Sequence, residues 1–256
     1  MAKKLPVETP VYLFLGFLES GKTTFIQETM QDPRFSSGEK TLLLVMEEGV
    51  EEYETIRFSN AENIDLVTPT HYLPVIIPAL SPELPVPVVY NCGGYERIET
   101  LNQLEGRVDI YLPDLKYFDN ALAMGLSGCS DYRQVATAAI REMVRQTGPV
   151  QWEGEKVTKG VIVRHLILPG QVENSLKVLD WIGDTFAPGE VLVSLMRQYI
   201  PHGKAEDYPE LNRKVTDEEY QAVEDHLFDS GIEDGFVQDE SSATDAFIPT
   251  FDGSGV

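Results

Sequence analysis

Short apolar runs that end in polar residues recur along most of the chain: Ile64–Thr68, Val86–Asn91, Val108–Asp114, Val161–Leu168 and Val191–Met196. Each is close to continuous in Val, Ile, Leu and Tyr. Strands buried on both faces of a parallel sheet or barrel read this way. Segments with helical spacing, Tyr95–Leu104, Tyr132–Gln146 and Val172–Thr185, separate most of the runs. The alternation predicts an α/β fold with parallel strands. In such folds the polar residues at the carboxyl ends of the strands are where ligands are held.

Two stretches depart from this rhythm. Leu73–Pro87 should be a helix, yet it carries Pro74, Pro78, Pro82, Pro85 and Pro87. An interior proline costs a helix about 3 kcal/mol, so a short helix followed by extended chain is expected. Near the C-terminus, Thr216 and Glu219 have capping-box spacing and Gly231 closes the helix they start. Beyond it Ser, Gly and Asp dominate, which predicts a loosely held end.

The first 58 residues have a different texture. An apolar run, Val11–Leu15, leads into a glycine loop. A helical pattern, Phe25–Met30, stops near Pro33, and a second β-rich run, Thr41–Met46, is followed by the acidic cluster Glu47–Glu54. Strand, loop, helix and strand make one βαβ unit. The loop reads Gly16-x-x-x-x-Gly21-Lys22-Thr23, a complete Walker A pattern. Its glycines let successive N–H groups face an anion, and the following helix start adds its positive end. Lys22 is expected to reach the outer phosphates and the Thr23 hydroxyl to hold Mg²⁺. Gly16, Glu19, Ser20, Gly21, Lys22, Thr23 and Thr24 are therefore the candidate site for a nucleoside triphosphate, GTP or ATP, with magnesium.

Composition narrows the partners. The chain has 256 residues, 42% of them hydrophobic, enough for a folded core. Its formal net charge is −22, which argues against a general reader of nucleic-acid backbones and a basic membrane-surface helix. No Lys or Arg follows Lys214, while Asp and Glu recur from Asp217 to Asp252, the pattern of a solvated acidic tail. No apolar run is long enough to span a membrane. Lys3 and Lys4 before an apolar patch imitate a signal peptide, but Glu8 interrupts it. The two cysteines, Cys92 and Cys129, suit a reducing compartment, and a cytoplasmic location is expected.

Two family resemblances follow from these strings. The segment from Pro6 to Thr24, with Gly16-Phe17-Leu18 ahead of Ser20-Gly21-Lys22-Thr23, resembles the CobW-type P-loop GTPases over residues 5–58. Glu19 stands where glycine is commoner. The Asn-Lys-x-Asp base-reading motif and the Cys-x-Cys-Cys metal motif are absent. From Asn60 onward the strings Asn63–His71, Val88–Tyr95, Asp109–Tyr117, Val163–Gly170 and Tyr208–Arg213 resemble the radical S-adenosylmethionine proteins of the pyruvate formate-lyase-activating-like family. That likeness implies a partial (β/α) barrel binding S-adenosylmethionine beside a [4Fe–4S] cluster, the cluster held by Cys-x-x-x-Cys-x-x-Cys. It also implies ligand-site roles for Thr68, Thr70, Asn91, Asp114, Lys116, Arg164 and His165, with His165 alternatively a core residue. The cysteine triad is absent and two thiols are too few for it.

The expected architecture is thus α/β: a parallel-strand partial (β/α) barrel with an N-terminal P-loop βαβ unit joined to the same sheet. The expected divisions are 1–58, 59–215, and a C-terminal helix with acidic tail over 216–256. Three functional readings stand. One is a radical S-adenosylmethionine-type protein by descent, without its cluster ligands, carrying a nucleotide-binding P-loop. The second is a CobW-like GTP- or ATP-binding protein. The third is an inert chimera of two family fragments. Enzymatic activity is left open, with slow or absent nucleotide hydrolysis expected because no residue stands out to position a nucleophile.

Overall fold

A computed structural model describes residues 63–80, 84, 86–201, 203–232 and 235–238. The candidate P-loop residues Gly16, Glu19, Ser20, Gly21, Lys22, Thr23 and Thr24, the N-terminal βαβ unit and the tail from residue 239 lie outside the described residues.

The apolar runs form strands: β1 (Ile64–Val67), β2 (Val88–Cys92), β3 (Ile110–Pro113), β5 (Lys156–Leu166) and β6 (Leu192–Met196). Two short strands join them, β4 (Gln151–Glu153) and β7 (Gly235–Val237). The seven strands make one sheet in the order β1-β2-β3-β5-β6-β7, with β4 folded back on β5. Every pair along that order is parallel, and only the β4–β5 hairpin is antiparallel. Among the described residues the sheet is open, since β1 and β7 do not pair. The expected α/β architecture with parallel strands is therefore the observed one.

Helices connect the strands. Thr70–Ala79 is a chain of short turns in which α1 (Leu73–Ile76) is the one α-helical piece, as its prolines require. Then come α2 (Ile98–Asn102), α3 (Asn120–Ser127), α4 (Tyr132–Thr147), α5 (Val172–Thr185) and α6 (Asp217–Asp229). α4 buries Ala136, Ala139, Ile140 and Met143, one stripe at helical spacing, and packs on β3 and β5. α6 starts in a full capping box: the Thr216 hydroxyl accepts from Glu219 N, and the Glu219 carboxylate accepts from Thr216 N. Among the described residues no helix is long and apolar enough to cross a membrane.

The two faces of the sheet differ. Side chains alternate along a strand and in-register neighbours share a face. Tyr90, Tyr111, Val161, Val163, His165, Val193 and Leu195 point one way and are fully buried. Toward the carboxyl ends, the other face carries Val67, Asn91, Leu112, Asp114, Arg164 and Ser194, which are half-buried or exposed. The register aligns Arg164 with Asp114 on one side and Ser194 on the other. A polar row thus crosses the strand ends on the open face.

Candidate functional site

The site is built where β3 and β5 end. Asp114 bridges Arg164 in parallel register, and Leu115 N donates to Arg164 O at 2.8 Å. Both side chains therefore share a face and meet: Arg164 Nη2 is 2.6 Å from Asp114 Oδ1. Lys116 Nζ lies 3.4 Å from Asp114 Oδ2. Two cations thus face one carboxylate. Asp114 is 14% exposed, Arg164 22% and Lys116 43%, so the cluster is sheltered at its root and open at the lysine. Asp114 Oδ1 and Arg164 Nε are buried and neither makes a hydrogen bond, so the pair is close but imperfectly aligned. Asp114 Oδ1 is still met by the guanidinium as an ion pair, so the unfilled bonding capacity is that of Arg164 Nε.

The loop after β2 is drawn onto this cluster by a glycine. Gly94 has φ +77°, and a Cβ placed there would stand 1.9 Å from the Asp114 carbonyl oxygen. Only glycine tolerates both the backbone and the approach. Asn91, on β2, hydrogen-bonds the Asp65 carboxylate of β1, which also feels the charge of Arg164. Thr68 closes β1, its N–H donating to Asn91 O at 2.8 Å. Its φ of +51° is costly for a β-branched residue, a local strain of the kind that collects at ligand sites.

Thr70 and His165 lie elsewhere. Thr70 Oγ1 donates to Glu96 Oε1 at 2.7 Å and accepts from the buried Tyr90 hydroxyl at 3.0 Å. Thr70 and Glu96 border a separate cleft of about 400 Å³, lined also by Tyr95, Arg97, Thr100, Asp131 and Val135. Glu96 is 6% exposed, and its second oxygen has no partner. Burial raises its pKa above the usual carboxylate range, partly offset by the Thr70 hydrogen bond.

His165 takes the core position that the sequence left open as its alternative. Adjacent to Arg164 on a strand, it points to the opposite, helix-covered face and is 0% exposed. Its Nδ1–H donates to Leu115 O at 2.7 Å, a carbonyl that can only accept, so Nε2 accepts from the Ser175 hydroxyl at 2.8 Å. Burial lowers its pKa to about 4, against the raising effects of the Leu115 carbonyl and the Asp114 charge. The ring is neutral and structural.

The structure therefore brings Asn91, Asp114, Lys116 and Arg164 together, sets Thr68 at the rim, and separates Thr70 and His165. The sequence reading passed over Glu96, whose one signal is its place two residues beyond Gly94 at a strand end. It also passed over Asp65, a lone carboxylate alternating with apolar residues in β1.

The residues present do not fit an iron–sulfur cluster. Cys92 lies on the buried face of β2, where burial pushes its thiol up to about 12, far from the thiolate that iron requires. Cys129 lies in the turn between α3 and α4, its Sγ directed at Ser127 O. Among the described residues no group of three or more His, Cys, Asp or Glu is placed to hold a metal ion.

Fold and site together define a class: an open, parallel α/β sheet with an ionic cluster at the carboxyl ends of its central strands. No family model matches the chain. An uncharacterized protein of Methanocaldococcus jannaschii is 30% identical over 165 residues, which cover 63% of this chain and 44% of that protein. The match thus spans less than half of the relative's length. Among solved structures, a domain of a pyruvate-formate lyase-activating enzyme from Bacteroides vulgatus aligns with a TM-score of 0.49 at 12% identity. That alignment covers 69% of this chain and 98% of the domain.

Proposed function

We propose that the strand-end site binds S-adenosylmethionine and that the chain is a radical S-adenosylmethionine-type protein by descent, without the cluster chemistry. The observation that carries this reading is the Asp114–Arg164–Lys116 cluster beside the Gly94 crossing. Arg164 and Lys116 would take the ligand's carboxylate, because charge-assisted bonds to a carboxylate are the strong ones. Asn91 and Asp65 stand on the same face to receive its ammonium group. Bound S-adenosylmethionine supplies a sulfonium whose reductive cleavage needs an electron, and this chain's two thiols do not furnish the cluster that would deliver it. The protein's part is to bind and orient.

A second ligand rests on the intact Walker A spacing of Gly16 to Thr23. We propose that this loop binds GTP or ATP with magnesium, Lys22 on the outer phosphates and Thr23 on the metal. The test is thermal stabilisation by S-adenosylmethionine, GTP–Mg and ATP–Mg, since a ligand that binds only the folded state raises its melting temperature. Arg164→Ala should abolish the response to S-adenosylmethionine alone, and Lys22→Ala the response to nucleotide alone. Silence of the unaltered protein to all three would favour the inert chimera.

A further inference from the structure

Past Leu115 the sheet's ladder no longer holds the chain, yet residues 114–119 are tied to their surroundings by buried side chains. The Tyr132 hydroxyl accepts from Lys116 N at 3.0 Å and is directed at the carbonyls of Asp114 (3.2 Å) and Gly93 (3.3 Å). Asn174 Nδ2 donates to Lys116 O at 3.0 Å, while its Oδ1 accepts from Phe118 N at 2.8 Å and Asp119 N at 3.3 Å. His165 holds Leu115 O from β5. Tyr132, His165 and Asn174 are buried and come from three elements, α4, β5 and α5.

Burying polar side chains is costly unless each is bonded, and an apolar core would hold a loop without that demand. Here both the N–H and the C=O of Lys116 are taken by side chains. That pins the direction in which its long, flexible chain leaves the backbone. An unpinned lysine loses about 2 kcal/mol of rotamer freedom when it settles on a ligand, so pinning its base reduces the cost of using it. Tyr132 also ties Lys116 N to the carbonyls of Asp114 and Gly93, one group spanning both loops of the site.

We propose that Tyr132 and Asn174 are positioning residues of the strand-end site, aiming Lys116 and Asp114 so that the site selects ligands bearing a carboxylate. This rests on the S-adenosylmethionine reading above and adds to it the source of selectivity.

The experiment compares S-adenosylmethionine with decarboxylated S-adenosylmethionine, which differs by the carboxylate alone. Dissociation constants are measured by calorimetry on the full chain. The unaltered protein should prefer the carboxylate-bearing ligand by about tenfold, the scale of one charge-assisted bond. Tyr132→Phe and Asn174→Ala should shrink that preference to less than about threefold while leaving the decarboxylated ligand's affinity within about twofold. A merely structural role would weaken both ligands alike, and that outcome overturns the proposal, as does an unchanged ratio. Should Asn174→Ala fail to fold, Tyr132→Phe, which removes one oxygen, carries the test. Equal binding of both ligands by the unaltered protein overturns this inference and leaves the binding reading standing. Binding of neither overturns both.

Discussion

Glu96 and His165 are both buried and titratable, and they respond to pH in opposite ways. Glu96 has a folded pKa above its ordinary 4.5, so the folded state keeps the proton longer than the unfolded chain does. Its stabilisation is full below 4.5 and is lost as pH rises through the folded value. Glu96→Gln stays neutral throughout and keeps an oxygen for Thr70. It is expected to match the parent near pH 4 and to exceed its melting temperature at pH 7–8, as scanning calorimetry would show. His165 is held at about 4 against an ordinary 6.5, so here the unfolded state takes the proton first. Its contribution is full above 6.5 and is lost as pH falls from there toward 4. Urea midpoints for the parent should therefore decline across that window, and His165→Gln should flatten the decline even if it lowers the midpoint overall. Because Glu96 acts in the opposite sense over this range, the difference between parent and His165→Gln is the decisive quantity, and a difference constant from pH 6.5 to 4 would contradict the neutral, buried assignment.

At the scale of elements, the crossing of the β2 loop over the end of β3 is the most constrained contact of the site. Gly94→Ala must relieve both a left-handed backbone and a Cβ 1.9 Å from the Asp114 carbonyl. It is expected to destabilise the protein by about 3 kcal/mol or more in urea unfolding. The elements themselves were readable where their patterns were long. Val172–Thr185 appears as the helix its spacing predicts, and the five long apolar runs are all strands. β4 and β7, three residues each, are too short to show any period, and β7 contributes only Gly235, Phe236 and Val237. For the site, Asn91 and Asp114 end apolar runs, whereas Lys116 and Arg164 were singled out by the family resemblance alone. Arg164 and His165 could not be separated by position along the chain alone. The two-residue period of a strand sends them to opposite faces, and which face is open is decided by helices elsewhere. Asn174 acts on Lys116 across 58 residues, and Tyr132 across 16, so nothing local announces either.

Across the whole molecule, the two thiols report different events. Cys92 is sealed under the sheet with its thiol pushed up to about 12, whereas Cys129 sits half-exposed in a surface turn. A thiol reagent at neutral pH should modify one equivalent promptly and the second only at the rate of unfolding, both sites assigned by peptide mass. Prompt modification of Cys92 would show that β2 opens independently of the rest. The contrast between the faces of the sheet has a wider meaning, in terms of how such a chain can change over generations. Substitutions on the helix-covered face must keep a packed volume, so few survive. On the open face at the strand ends, neighbours one residue away can be exchanged with little effect on folding. Tolerance should therefore alternate along the carboxyl half of β5 and rise at Asn91 in β2 and Leu112 in β3. A scaffold divided in this way can lose one chemistry and acquire another without first passing through an unfolded ancestor.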